Sequence, residues 1–124
     1  MSTYLLDTHI LLWSLSDSEK LPQRIKDIIA DPENHIVVSA VSIWEISIKK
    51  SLKKLEVPDS MIDVLKENHI DFLPITVDHV LFIEKLPKIH NDPFDRLLIA
   101  QAFVEGMTLV TVDSIIPQYN VECI

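Results

Sequence analysis

Apolar residues along this chain fall into short runs that alternate between two spacings. The stretches STYLL (2–6), HIVVSA (35–40), DFLPIT (71–76) and MTLVTVD (107–113) are compact, β-branched and bounded by turn residues, and they predict strands. A final short edge strand is expected at YNVECI (119–124). Between these runs the apolar positions recur at helical spacing. Helices are expected over Thr8–Leu15, over QRIKDIIA (23–30), over VSIWEISIKKSLKK (41–54), over VPDSMIDVLKEN (57–68), over VDHVLFIEKL (77–86) and over PFDRLLIAQAFVE (93–105). Ser39 or Ser42 could cap the third of these, which would carry Trp44, Ile48 and Leu52 on one side. SDSEKLP, DPEN and PKIHND read as loops. The strands are too short and too apolar to be half exposed. Their alternation with helices predicts an α/β fold, a three-layer α/β/α sandwich around a mostly parallel sheet covered on both faces. With 124 residues the chain is expected to form one domain, residues 1–124.

Composition removes several function classes. A core can form, since 48% of the residues are hydrophobic, but no apolar run nears the ~18 residues of a membrane span. The start, MSTYLLDTHILLW, lacks the basic flank and cleavage site of a signal peptide, so a soluble cytoplasmic protein is expected. The single cysteine, Cys123, excludes an internal disulfide and a Cys-rich zinc site. Five scattered histidines argue against a His-rich transition-metal site. The only glycine, Gly106, reads as the C′ residue of the 93–105 helix, which leaves no Gly-rich phosphate cradle. A net charge of −8 opposes nonspecific nucleic-acid binding.

The acids then change the picture. Open α/β sheets bind ligands at the carboxyl ends of their strands. Asp7 ends the first strand and Asp113 ends the 107–113 strand. Asp95 opens the helix before that strand, and Glu45 lies one turn into the helix after the second strand. Two carboxylates roughly 5 Å apart repel by about 3 kcal/mol at an effective dielectric of 20, and a divalent cation removes that repulsion. A cluster of acids without His or Cys suits Mg²⁺ or Mn²⁺ and phosphoryl chemistry. Each acid also has a plainer reading. Asp7 could cap the next helix, Glu45 could pair with Lys49 at i+4, and Asp113 with Ser114 could form a turn. In DPFD, Asp92 suits the N-cap, Pro93 the N1 position and Asp95 the N3 position, where the helix dipole should keep Asp95 ionised.

LLDTH, SAVSIWEISIKK, DPFDRLLIAQA and LVTVD, in that order, resemble the motifs of PIN-domain nucleases, in particular the VapC-type toxins of bacterial toxin–antitoxin pairs. The resemblance spans Tyr4 to about Asp113. It implies a PIN-like fold and a Mg²⁺- or Mn²⁺-dependent endoribonuclease. Asp7, Glu45, Asp95 and Asp113 would be the metal-binding and catalytic acids, and Thr8 the small hydroxyl residue that follows the first of them. It also implies an RNA substrate, a cognate antitoxin and a homodimer. Asp92 is extra, a cap or a residue behind the ligands. Arg96 could hold a phosphate or form a salt bridge. His9 is expected to be structural, His90 an exposed loop residue, and Trp13 and Trp44 core or interface residues. The run KKSLKK (Lys49, Lys50, Lys53, Lys54) is a solvated helix face or a basic rim for RNA. The alternatives are a non-catalytic binding module on the same fold and a DNA-directed nuclease. An aspartyl-phosphate phosphatase fits poorly, because His9 stands where that chemistry needs a second Asp.

Overall fold

The computed structural model describes residues 2–124. Its elements run β1 (Thr3–Leu6), α1 (Thr8–Leu15), α2 (Gln23–Ala30), β2 (His35–Ser39), α3 (Ala40–Ser51), α4 (Met61–Glu67), β3 (Asp71–Leu73) and α5 (Val77–Phe82). A 3₁₀ turn (Ile83–Lys85), α6 (Pro93–Glu105), β4 (Thr108–Val110) and a second 3₁₀ turn (Ile116–Tyr119) follow. The four strands form one parallel sheet in the order β3-β2-β1-β4. Leu109 makes an isolated parallel bridge with Cys123, so the expected C-terminal edge is present as a single bridge.

The two-residue period of a strand divides the core. Leu5, Val37 and Leu109 pack on one face with Leu97–Ala102 of α6, Ile116 and Tyr119. Leu6, Ile36, Val38 and Val110 pack on the other with Ile10 and Leu11 of α1, Ile25 of α2, and Met61 and Leu65 of α4. These are the three layers the pattern predicts.

Several boundaries move, each for a local reason. The helix expected to reach Lys54 stops at Ser51. Lys53 takes a left-handed conformation (φ 59), its N–H bonds the Lys50 carbonyl, and the Lys54 N–H bonds the Lys49 carbonyl. That is a Schellman closure. The helix expected from Val57 begins at Met61, after a turn in which the Met61 N–H bonds the Pro58 carbonyl. β3 ends where Pro74 removes a donor. The 77–86 helix tightens into the first 3₁₀ turn. β4 ends at Val110 because β1 runs out beside it. The last rung is the Asp7 N–H to the Val110 carbonyl, 3.0 Å, and the next N–H, from Thr111, turns to the Ile124 carbonyl.

The expected apolar side of α3 is wrong. Trp44 and Leu52 are 52% and 58% exposed, and the buried positions are Val41, Ser42, Glu45 and Ile46. Ser39, not Ser42, caps the helix, accepting from the Val41 N–H. Trp44 is therefore not a core residue. It lies edge-on to Phe94 with ring centroids 4.8 Å apart.

Candidate metal centre

From β1 the chain steps outward to β2 and β3, then returns across the sheet to place β4 on the other side of β1. The strand order reverses between β1 and β4, and a crevice opens beyond their carboxyl ends. Asp7 follows β1 directly, and Thr111–Asp113 follow β4.

Asp7 is 4% exposed. Its Oδ1 accepts from the Ile10 N–H at 2.8 Å, so it does cap α1, and the Thr111 hydroxyl bonds the same carboxylate. Burial raises its pKa. The Thr111 and Ile10 hydrogen bonds and the field of His9 oppose that rise, and Asp113 adds to it. The capping reading and the site reading therefore describe one residue. Thr8, buried behind it, donates from its hydroxyl to Ser42 Oγ at 3.0 Å and ties α1 to α3.

Glu45 is also 4% exposed. Its Oε2 pairs with Lys49 Nζ at 2.7 Å, which is the expected i+4 contact, yet the residue is buried rather than partly exposed. Its Oε1 is buried with no partner. Such an atom costs on the order of 1–3 kcal/mol or more unless something binds it.

Asp92 and Asp95 divide their work. Asp92 is the N-cap of α6, its Oδ1 accepting from the Phe94 and Asp95 N–H groups at 2.8 and 3.2 Å. Asp95, at N3, has its pKa raised to about 6. Burial is the main cause, followed by repulsion from Asp92. His90 opposes the rise, and Asp7 and Glu45 add to it. Asp95 is still ionised at neutral pH, as expected, but the helix terminus does not set its pKa: the dipole is worth about 0.3–1 kcal/mol, and burial with three neighbouring acids outweighs it. Asp113 both turns the chain and faces the crevice. Its Oδ1 accepts from the Ile115 N–H at 2.8 Å, and its own N–H bonds Thr111 Oγ1 at 3.0 Å.

Two participants lie outside the expected set. His90, expected in an exposed loop, has a side chain only 13% exposed, with Nε2 3.0 Å from Asp95 Oδ2 and 3.1 Å from Asp113 Oδ2. One ligand atom from each of His90, Asp95 and Asp113 lies within 4.8 Å of the others. The cluster is thus not free of histidine. Thr111 is the other, touching both Asp7 and Asp113. The available signals were short-range ones: a histidine two residues before a helix cap, and a hydroxyl two residues before Asp113.

Among the described residues Arg96 pairs with no carboxylate. Its guanidinium donates to the Pro87 and Ile83 carbonyls, at 2.9 and 3.3 Å, and to the Tyr119 hydroxyl at 3.3 Å. The expected salt bridge is corrected to a clamp on the loop before α6. His9 is exposed on α1, its ring 6.1 Å from that of Trp13. Lys50 pairs with Asp59, while Lys53 and Lys54 are exposed beyond the helix end.

The donor set fits a divalent cation. It consists of hard carboxylate oxygens, one of them buried without a partner, and their mutual repulsion is already visible in Asp7 and Asp95. A cavity of about 720 Å³ lies elsewhere, lined by residues of α1, α2, α4 and their loops such as Leu21, Ile29 and Leu65, and none of the four acids lines it.

The PIN domain family model matches residues 4–122. Ribonuclease VapC22 of Mycobacterium tuberculosis is 27% identical over 116 residues, which cover 91% of this chain and 88% of that one. VapBC2 from Rickettsia felis, solved bound to a DNA fragment from its promoter, matches with a TM-score of 0.75 at 19% identity, covering 98% of this chain and 97% of that one. VapBC-1 from nontypeable Haemophilus influenzae matches with a TM-score of 0.70 at 17% identity, covering 98% and 96%.

Proposed function

The chain belongs to the PIN domain family, and from that premise we propose that it is a divalent-metal-dependent endoribonuclease, the toxin of a toxin–antitoxin pair. One observation carries the reading: Asp95 and Asp113 come together at His90, Asp7 and Glu45 lie near enough to raise the pKa of Asp95, and the buried Glu45 Oε1 has no partner of its own. Asp7, Glu45, Asp95 and Asp113 are the residues that would hold the metal, with Mg²⁺ or Mn²⁺ as the ion. When bound, such an ion makes a water nucleophilic near neutral pH and offsets charge on a phosphodiester.

The chain's own residues build the site around that ion. Asp92 fixes the first turn of α6 and so the origin of the Asp95 side chain. Thr111 orients Asp7 and Asp113 from between them. Lys49 holds one oxygen of Glu45 and leaves the other free. RNA as substrate is supported by the ribonuclease relative. An antitoxin partner and an oligomeric assembly are supported by the VapBC neighbours. A homodimer and a cytoplasmic location follow from the same reading. Among the described residues, no helix is long and apolar enough to cross a membrane.

The test is cleavage of pooled, end-labelled cellular RNA with Mg²⁺, with Mn²⁺, with chelator, and by Asp7→Asn. Asparagine is as good an N-cap as aspartate, so the variant keeps α1 and loses a charge. Metal-dependent cutting that Asp7→Asn abolishes is expected. Wild-type cutting by that variant would remove Asp7 from the site. A folded protein that binds Mn²⁺ and cuts no RNA would favour a non-catalytic binding module.

A further inference from the structure

His90 brings a ring nitrogen to the crevice, and its geometry assigns it a role other than ligand. Nε2 faces Asp95 Oδ2 and Asp113 Oδ2 at 3.0 and 3.1 Å. At the other edge of the ring, Nδ1 accepts the backbone N–H of Asp92 at 3.1 Å. A nitrogen that accepts a hydrogen bond presents its lone pair there, so the ring hydrogen sits on Nε2, between the two acids. A histidine that ligates a metal has the reverse arrangement, with its remote nitrogen donating to a carboxylate, carbonyl or water.

The ring is anchored independently of anything in the crevice. The His90 N–H donates to the Tyr119 hydroxyl at 2.6 Å, the Ile89 N–H to the same oxygen at 3.1 Å, and Arg96 reaches that hydroxyl at 3.3 Å while holding Pro87 and Ile83. The loop before α6 is thus pinned to the 3₁₀ turn that follows β4. The imidazole joins the first turn of α6 to the segment after β4, the two elements that carry Asp95 and Asp113.

We infer that His90 is a positioning residue of the carboxylate centre, not one of its ligands: its Nε2–H is hydrogen-bonded to Asp113 Oδ2 and lies 3.0 Å from Asp95 Oδ2, and it sets the separation of the two carboxylates. This rests on the metal-centre reading above. Asp113 Oδ2 is fixed by the imidazole and Asp95 Oδ2 is held against it, which leaves the remaining donor capacity of the pair in a defined place. Loss of such an outer hydrogen bond typically weakens metal binding by about 10–100-fold.

The experiment compares wild type, His90→Gln and His90→Leu, each checked for folding by circular dichroism. Glutamine keeps an N–H donor and leucine does not. Mn²⁺ affinity measured by calorimetry is expected to fall by about 10–100-fold in His90→Leu and to be largely retained in His90→Gln. Pulsed EPR of the Mn²⁺-loaded wild type is expected to show no directly bound imidazole nitrogen. Long-range ¹H–¹⁵N NMR of the metal-free protein is expected to show the His90 hydrogen on Nε2. A nitrogen coupling that vanishes in His90→Gln would make His90 a ligand and overturn the inference, as would wild-type Mn²⁺ affinity in folded His90→Leu. A wild type that binds no Mn²⁺ but shows the Nε2–H form would instead overturn the metal centre while leaving the Asp95–His90–Asp113 bridge standing.

Discussion

Asp95 shows how a single residue can oppose the stability of the fold that carries it. Its pKa is raised to about 6 in the folded chain, against 3.8 for the free side chain. Between those values the native state holds a proton that the unfolded state has lost. Its contribution to stability is fully present below about 3.8 and is lost as pH rises through about 6. In the metal-free protein, Asp95→Asn is therefore expected to raise the melting temperature at pH 7 and to flatten its pH dependence between about 4 and 6. A lower melting temperature at pH 7 would show that Asp95 is better compensated than its neighbours imply. The same proton competes with a cation, so Mn²⁺ affinity is expected to be roughly tenfold weaker at pH 5 than at pH 7. At this scale the sequence picks out the acids that gather near the crevice and reads Asp92 as a cap. It does not show the ionisation of Asp95, because the burial and the charges that shift it come from β1 and α3, far away in the chain. His90 was read as an exposed loop residue for the same reason: its partner Asp113 is on the other side of α6 and β4.

Elements start and stop by local rules, and the helix ends show this most clearly. With one glycine to use, the chain closes α6 on Gly106 (φ 66) but closes α1, α3 and α4 on Asp17, Lys53 and His69, all with φ between 50 and 59. A side chain in that conformation costs on the order of 1 kcal/mol. Lys53→Gly is therefore expected to stabilise the protein by up to about 1 kcal/mol. Gly106→Ala is expected to destabilise it by about the same amount. Nothing lies within 4 Å of a Cβ built at Gly106, so that cost is one of backbone conformation, not of crowding. Urea titration of both variants checks the signs, and a neutral Gly106→Ala would contradict the argument. Gly106 was legible as a stop because glycine is the usual residue there. Lys53 was not, and the helix was read through to Lys54. The face of α3 was misread for a different reason. Apolar spacing points to Trp44 and Leu52, whereas the buried side carries Ser42 and Glu45, polar residues that the crevice requires. Where an element serves a site, hydrophobic periodicity indicates the wrong face.

For the whole molecule, the α/β class is legible in the alternation of runs, but the strand order is not. Four short β-branched segments look alike until packing decides which one lies at the centre. The central position of β1 is what makes Asp7 and Asp113 neighbours. Net charge is the other property at this scale, and it bears directly on substrate binding. The total is −8, and the basic groups nearest the crevice are partly committed: Lys49 to the buried Glu45, Arg96 to backbone carbonyls. The exposed Lys50–Asp59 pair is weak enough to yield, so Lys50, Lys53 and Lys54 are the residues of the basic run that could meet phosphates. Three contacts with single-stranded RNA give a salt slope of about −2, or roughly a fifteen-fold loss of affinity between ~50 and ~200 mM salt. A protein that relies on six to ten phosphate contacts loses about 10³–10⁵ over that range. The KM for RNA cleavage at fixed Mg²⁺ is accordingly expected to rise by roughly fifteen-fold, and Lys53→Ala with Lys54→Ala to remove most of that dependence. A thousand-fold rise would mean that substrate is held by a basic surface this chain does not form alone, one that arises only when a second copy or a partner completes it.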